Sequence, residues 1–355
     1  MILCIRAIRQ RKKIPMSRPL TVAIAGATGA VGVEMLRVLE TRNFPVKELK
    51  LLASSRSVGK RLIFRGMETA VEELRQDSFR GVDLALFSAG ASISRDFRRS
   101  VVEAGALMVD NSSAFRMEDD VPLVVPEVNP EDVDLHKGVI ANPNCSTIIM
   151  LVAVAPLHRA RTLKRLVAAT YQAASGAGAK AMEELLVQTR QVLDHQPIAP
   201  SAFAHRIAFN LIPHIDSFLD SGYTKEEMKM LFESRKMLHH PGLRVSCTCI
   251  RVPVVRAHSE ALNLEFENAI TPEEVRSILS DAPGVTLVDD VANKRYPMPV
   301  DATGQDHVLV GRIRQDISRD DGCGIDLFIS GDQVLKGAAL NAVQVAEVAM
   351  SRGKL

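Results

Sequence analysis

A cysteine becomes a strong nucleophile when its thiolate is stabilised, and Asn142-Pro143-Asn144-Cys145-Ser146-Thr147 places one where a loop turns into an apolar helical run. The proline ends the incoming segment, and the unpaired N–H groups of a helix start favour a thiolate. On these residues alone a buried structural cysteine fits as well. A second chemical feature is Gly26-Ala27-Thr28-Gly29-Ala30-Val31-Gly32, spaced G-x-x-G-x-x-G. It follows a β-type run and opens a helical pattern, the context in which glycines let the backbone approach a pyrophosphate at a helix N-terminus. A turn made only for packing is the alternative. At the end of the second strand stands Ala53-Ser54-Ser55-Arg56-Ser57. A site preferring NAD would show Asp or Glu there; hydroxyls and a guanidinium favour NADP, with Arg56 on the 2′-phosphate. Otherwise Arg56 is a solvated loop arginine.

The elements that position these residues follow from periodicity. LTVAIAGA (20–27), KLLAS (50–54), VDLALFSA (82–89) and ALMVD (106–110) read as buried strands. Helical patterns run over 30–41 and 92–105, and such alternation signals a parallel sheet with crossover helices. After Asn142 a helix is expected over 145–158, then strands at 165–173, 245–255, 260–268, 307–317 and 324–332. With few helices between them, these strands imply a mostly antiparallel sheet. An amphipathic helix at 336–350 can return to the first domain. The expected architecture is an α/β Rossmann-type dinucleotide-binding domain (19–143 plus 336–355) and an α+β catalytic and dimerisation domain (144–335) with a mainly antiparallel sheet.

A chain of 355 residues, 46% hydrophobic and 24% charged, has the profile of a two-domain globular protein. Residues 1–18 carry six basic side chains and no acid, so the rest of the chain is net acidic despite an overall charge of +2. That body offers no electrostatic case for nucleic acid. The basic stretch 1–18 is interrupted by Arg6 and Arg9, too short to span a membrane, and reads as a disordered extension or an upstream start before Met16. An organellar transit peptide is the minor alternative to a cytoplasmic protein. Five cysteines without metal spacing fit a reducing compartment and no metal site.

GATGAVG, SSRS, DNSSAFR, VPEVN, NPNCST, YQAASGAG, AFNLIPHID, EEMK, RVPVVRAHSE and GDQVLKGAALNAVQ together resemble the successive motifs of the aspartate-semialdehyde dehydrogenase family, from Leu20 to Ala349. The resemblance implies NADPH-dependent reduction of L-aspartyl 4-phosphate to aspartate 4-semialdehyde and phosphate, on the route to lysine, threonine and methionine, by a homodimer. It implies Cys145 as the nucleophile that carries a thioester, and His258 as the acid/base residue that takes the thiol proton. Arg251 would clasp the substrate α-carboxylate, Glu226 its amino group, and Gln172 would orient it. Arg116, Lys229 and Asn111 would hold phosphate. Gly26, Thr28, Gly29, Ala30, Val31, Gly32, Ser54, Arg56 and Ser57 would hold the dinucleotide, with Ser175, Gly176 and Gln333 at its nicotinamide end. Ser112 replaces a common Thr, and Gln333 falls at a variable position. N-acetyl-glutamyl-phosphate reductase and glyceraldehyde-3-phosphate dehydrogenase share the two-domain plan with Cys and His. Glu226 with Arg251 favours a substrate with a free amine. A non-catalytic relative would be expected to have lost the cysteine or the histidine.

Overall fold

The computed structural model describes residues 18–355. The expected extension over 1–18 therefore lies outside the described residues except for Arg18, which pairs with Asp83. The chain begins with β1 (Leu20–Ala25), α1 (Ala30–Thr41), β2 (Val46–Ala53), β3 (Arg61–Phe64), β4 (Met67–Glu73), β5 (Leu84–Phe87), α2 (Ala91–Glu103), β6 (Leu107–Asp110) and β7 (Val139–Ala141). These seven strands form one sheet in the order β3-β4-β2-β1-β5-β6-β7. All its pairings are parallel except the β3/β4 hairpin. β1 is buried along its whole length, as a central parallel strand covered on both faces must be. Its side chains alternate between two cores: Ala23 and Ala25 face one, Val22 and Ile24 the other.

The rest of the chain runs α3 (Cys145–Ala160), β8 (Leu163–Gln172), α4 (Ala179–Leu193), α5 (Lys225–Met237), β9 (Arg244–Arg251), β10 (His258–Phe266), α6 (Pro272–Ser280), β11 (Val285–Leu287), α7 (Pro299–Ala302), β12 (Val308–Gln315), β13 (Gly324–Gly331) and α8 (Leu340–Ser351). Its sheet has the order β11-β12-β13-β10-β8-β9. The second sheet is mainly antiparallel, as expected, but it is mixed and more helices intervene than the sequence suggested. β10 pairs antiparallel with β8 and β13, as does β12 with β13, but β8/β9 and β11/β12 are parallel. Parallel neighbours need a long crossover, and α4 and α5 supply it between β8 and β9. Neither of those helices was foreseen, nor was the β3/β4 hairpin.

α3 is apolar nearly all round and carries eleven buried residues, so it can only be a central helix. It belongs to a core that runs from one face of the first sheet to the second sheet. α8 follows a π-type turn over Leu335–Ala339 and packs with α1 on the opposite face of the first sheet. The C-terminal helix thus returns to the chain's beginning.

Candidate active site

The two chemical loops share the C-terminal edge of the parallel sheet. β1 runs into the glycine loop, β2 into 54–57, β6 into Asn111, and β7 into Asn144-Cys145. β1 is also where the winding reverses, with β2 on one side and β5 on the other, and such crevices receive ligands in open α/β sheets. β7 lies three strands from β1, about 14 Å at normal spacing. A dinucleotide anchored at the glycine loop can extend over that distance toward the cysteine.

The glycine loop is built for close approach. Gly26 has φ +85°, and a Cβ there would meet the Ser88 carbonyl oxygen at 2.3 Å; one on Gly32 would meet the Gly26 carbonyl oxygen at 2.3 Å. Gly29 caps α1 with no side-chain bond, so the N–H groups of its first turn are available to an anion. Gly29 and Ala30 are exposed, Val31 is half-buried, and the Thr28 hydroxyl lies 3.2 Å from that of Ser57. This contact brings the 54–57 turn to the loop, where Ser54 and Arg56 are exposed. These residues fit a dinucleotide phosphate.

Cys145 opens α3 under a different arrangement. The Asn144 side-chain oxygen accepts from the N–H groups of Ser146 and Thr147, at 3.0 and 3.2 Å. Its amide nitrogen donates to Glu226 at 2.9 Å, and its backbone N–H donates to Glu233 at 2.7 Å. Gln172, at the end of β8, donates to the same Glu226 oxygen at 3.2 Å. The next residue, Ala173, donates its N–H to His258 Nδ1 at 3.0 Å and receives the Arg251 guanidinium on its carbonyl at 2.7 Å. A Cβ on Gly176 would lie 2.8 Å from Arg251 Nη1 and 3.1 Å from His258 Nε2, so any side chain there would have to displace the guanidinium on which the 174–177 turn rests. Asn144, Gln172, Glu226, Arg251, His258 and Gly176 are thus joined in one network, and Cys145 follows directly on Asn144. Ser175 accepts from Gln333, whose side-chain oxygen accepts from the Ala257 N–H. Both ends of Gln333 are therefore engaged within the protein.

The phosphate candidates gather beside them. Arg116 donates to the Asn142 and Asn111 carbonyl oxygens and pairs with Glu233 at 3.0 Å. Lys229 pairs with Asp216 at 2.7 Å and with Glu226 at 3.1 Å. The Asn111 side-chain amide is buried without a partner among the described residues. Sequence reasoning missed Glu233, although its place seven residues after Glu226 on one helix face was the available signal. The double clasp on Asn144 was not legible, because it joins elements distant in sequence.

The electrostatics depart from expectation. Burial, reinforced by Glu226, pushes the Cys145 thiol up to about 12, against the opposing pull of Arg116 and Arg251. Burial and Glu226 thus oppose the helix start in setting the charge on the sulfur. His258 is fully buried, and burial together with Arg251 holds its imidazole well below the usual range. With Nδ1 accepting from Ala173, a neutral ring carries its hydrogen on Nε2, which has no partner among the described residues. For Nε2 to take the thiol proton, the ring must first move its hydrogen to Nδ1, giving up that bond, and it then becomes a buried cation beside Arg251.

Family models match both halves: "Semialdehyde dehydrogenase, NAD binding domain" over residues 21–136 and "Semialdehyde dehydrogenase, dimerisation domain" over 154–336. A curated aspartate-semialdehyde dehydrogenase from Synechocystis is 54% identical over 340 residues, covering 96% of this chain and all of that protein. The crystal structure of aspartate semialdehyde dehydrogenase II complexed with ASA from Vibrio cholerae superposes with a TM-score of 0.91 at 47% identity, over 94% of this chain and 98% of that one. The Candida albicans enzyme solved with NADP gives 0.76 at 25% identity, over 96% and 100%. With a cysteine, an imidazole and a guanidinium gathered beside a dinucleotide crevice, and with relatives this similar over nearly its whole length, the chain belongs to the aspartate-semialdehyde dehydrogenase family.

Proposed function

We propose that the protein reduces L-aspartyl 4-phosphate to L-aspartate 4-semialdehyde with NADPH, through a thioester on Cys145. The carrying observation is the network in which Glu226 accepts from Asn144 at 2.9 Å and from Gln172 at 3.2 Å beside Cys145, with Arg251 and His258 on the adjoining backbone. Arg251 supplies the cation for an α-carboxylate and Glu226 the anion for an α-ammonium, a pair that selects a free amino acid over an N-acylated one. Cys145 attacks the acyl carbon. The thiol is held protonated until then, so its proton leaves as the C–S bond forms, and the departing phosphate takes it: thiol plus acyl phosphate dianion gives thioester plus hydrogen phosphate. His258 offers its Nε2–H to the acyl oxygen as that atom gains charge. Arg116, Lys229 and Asn111 receive the phosphate.

The nicotinamide, when bound, supplies hydride to the thioester carbon. Collapse of the resulting hemithioacetal alkoxide releases the aldehyde and the Cys145 thiolate, which takes a proton from solvent to return to the thiol. Gly26, Thr28 and Gly29 to Gly32 would hold the pyrophosphate, and Arg56 with Ser54 and Ser57 the 2′-phosphate. NADP is preferred because no carboxylate stands at the end of β2. Gln333 acts by holding Ser175 and Ala257 in place at the nicotinamide end. Residues 19–143 plus 336–355 form the cofactor unit and 144–335 the catalytic unit, through which two copies pair as a homodimer. Leu186, Val187 and Leu193 on α4 are exposed apolar side chains available to that contact. Among the described residues no helix is long and apolar enough to cross a membrane, and the cytoplasm is the proposed location.

The experiment is phosphate-dependent NADP reduction with aspartate semialdehyde, run beside N-acetylglutamate semialdehyde. Cys145→Ala should lower turnover on the order of 10⁴-fold while NADPH binding persists. Full activity in that variant, or preference for the N-acylated aldehyde, refutes the reading.

A further inference from the structure

Glu233 is a carboxylate that the scheme above does not use. It lies on the face of α5 that carries Glu226 and Lys229, and it is 1% exposed. One oxygen accepts from Arg116 Nη1 at 3.0 Å and the other from the Asn144 N–H at 2.7 Å. Burial pushes its acidity down, while Arg116 and the Asn144 N–H favour the charged form. Both oxygens act only as acceptors, with a guanidinium as one donor, so the geometry is that of a carboxylate.

Two consequences follow. Asn144 opens the helix that Cys145 begins, and its backbone N–H is buried outside the helical ladder. Without Glu233 that donor would be unpaired, and the turn carrying the sulfur would have one restraint fewer. Arg116 is the second point. Its guanidinium has five N–H groups, of which three are engaged, one of them by Glu233. It can still present a fork to an anion, but with its charge already opposed. Lys229 is treated alike by Asp216 and Glu226.

We propose that Glu233 is a positioning residue with two functions: it ties the start of the Cys145 helix to α5, and it offsets Arg116 so that phosphate is released readily. The second function rests on the phosphate role given to Arg116 above; the first does not.

Two substitutions separate the functions. Glu233→Gln removes the charge and can keep an acceptor for Asn144. Glu233→Asp keeps the charge and, one methylene shorter, cannot span both partners. The measurements are kcat and the phosphate KM in the aldehyde-oxidising direction, and the alkylation rate of Cys145 without substrate at fixed pH. The charges facing that sulfur are Glu226 from α5, Arg116 from the loop after β6 and Arg251 from β9. Glu233→Gln should lower the phosphate KM by about threefold or more and speed alkylation by a similar factor, because Arg116 then acts unopposed. Glu233→Asp should lower kcat by about tenfold or more, through a misplaced sulfur, with phosphate KM and alkylation within about twofold of wild type.

Wild-type phosphate KM and alkylation in Glu233→Gln overturn the charge function. Wild-type kcat in Glu233→Asp overturns the tether, and that variant decides the proposal if Glu233→Gln does not fold by its thermal midpoint. Should the wild-type enzyme show no phosphate-dependent turnover, the reaction assigned above fails. The alkylation rates still judge Glu233 in that case.

Discussion

Two helices begin at the same edge of the parallel sheet, and they begin in opposite ways. α1 starts at Gly29 with no side chain on its free N–H groups, in an exposed turn whose neighbours are glycine, serine and arginine. α3 starts at Asn144, whose side chain caps two N–H groups while Glu226 and Glu233 grip it from α5. Both carry the positive end of a helix dipole. The open start leaves its donors to an incoming anion, which must provide the missing bonds. The closed start has its bonds already and uses them to fix one atom, the sulfur of the following residue. A helix terminus therefore has no inherent task; the residues before it decide whether it binds a ligand or holds a nucleophile.

The strongest way to break this contrast is to undo the Glu226 half of the clasp on α3 while keeping its cap. Asn144→Asp retains an oxygen for Ser146 and Thr147 but replaces the amide that donates to Glu226 at 2.9 Å with a like charge. If capping alone mattered, activity would survive. We expect kcat to fall by about 100-fold, with a loss of stability of about 2 kcal/mol read as a lower thermal midpoint. Asn144→Ala, which loses the cap and the Glu226 half of the clasp together, should cost about 1 kcal/mol more.

At the open start the expected effect is smaller and falls on the cofactor. Arg56 is exposed and makes no ion pair among the described residues, so Arg56→Ala should leave the fold untouched. The NADPH KM should rise about tenfold, with that for NADH within about twofold, since only the 2′-phosphate loses a partner. Equal losses for both cofactors would place Arg56 on the shared part of the dinucleotide.

These two starts also differ in how far the sequence reveals them. The glycine loop, the strands at 20–27, 82–89 and 106–110, and the helices at 30–41 and 145–158 follow from local periodicity and turn chemistry, and the structure places them within a few residues. α4 and α5 were not foreseen; α5 has its capping-box threonine and acidic first turn, yet few apolar residues to mark a stripe. The mixed character of the second sheet depends on that oversight, because crossover helices decide which neighbours run parallel. Cys145, Gln172, Glu226, Arg251 and His258 were named from motifs, but nothing local says that Glu226 and Glu233 close on one asparagine 82 and 89 residues earlier. What acts on the ionisation of Cys145 is only partly local, for a similar reason. The dipole is a local property, whereas burial and the Glu226 charge come from the tertiary packing.

The finest test of the contrast looks for an inflection that should be missing. A helix start that ionised its cysteine would give an alkylation rate already on a plateau at neutral pH. Here the thiol is pushed up to about 12, so the thiolate fraction, and with it the rate, should climb about tenfold per pH unit from pH 6 to 10 in the substrate-free enzyme. His258 is held well below its usual range and stays neutral across that interval. No step should therefore appear between pH 6 and 7, where an ordinary imidazole beside the sulfur would lose its charge and change the slope. A plateau at neutral pH would mean that the dipole prevails over burial. A step near pH 6.5 would mean that His258 and Cys145 ionise as a pair, and the acid/base role first read from the RAHSE motif would replace the hydrogen-bond donor described above.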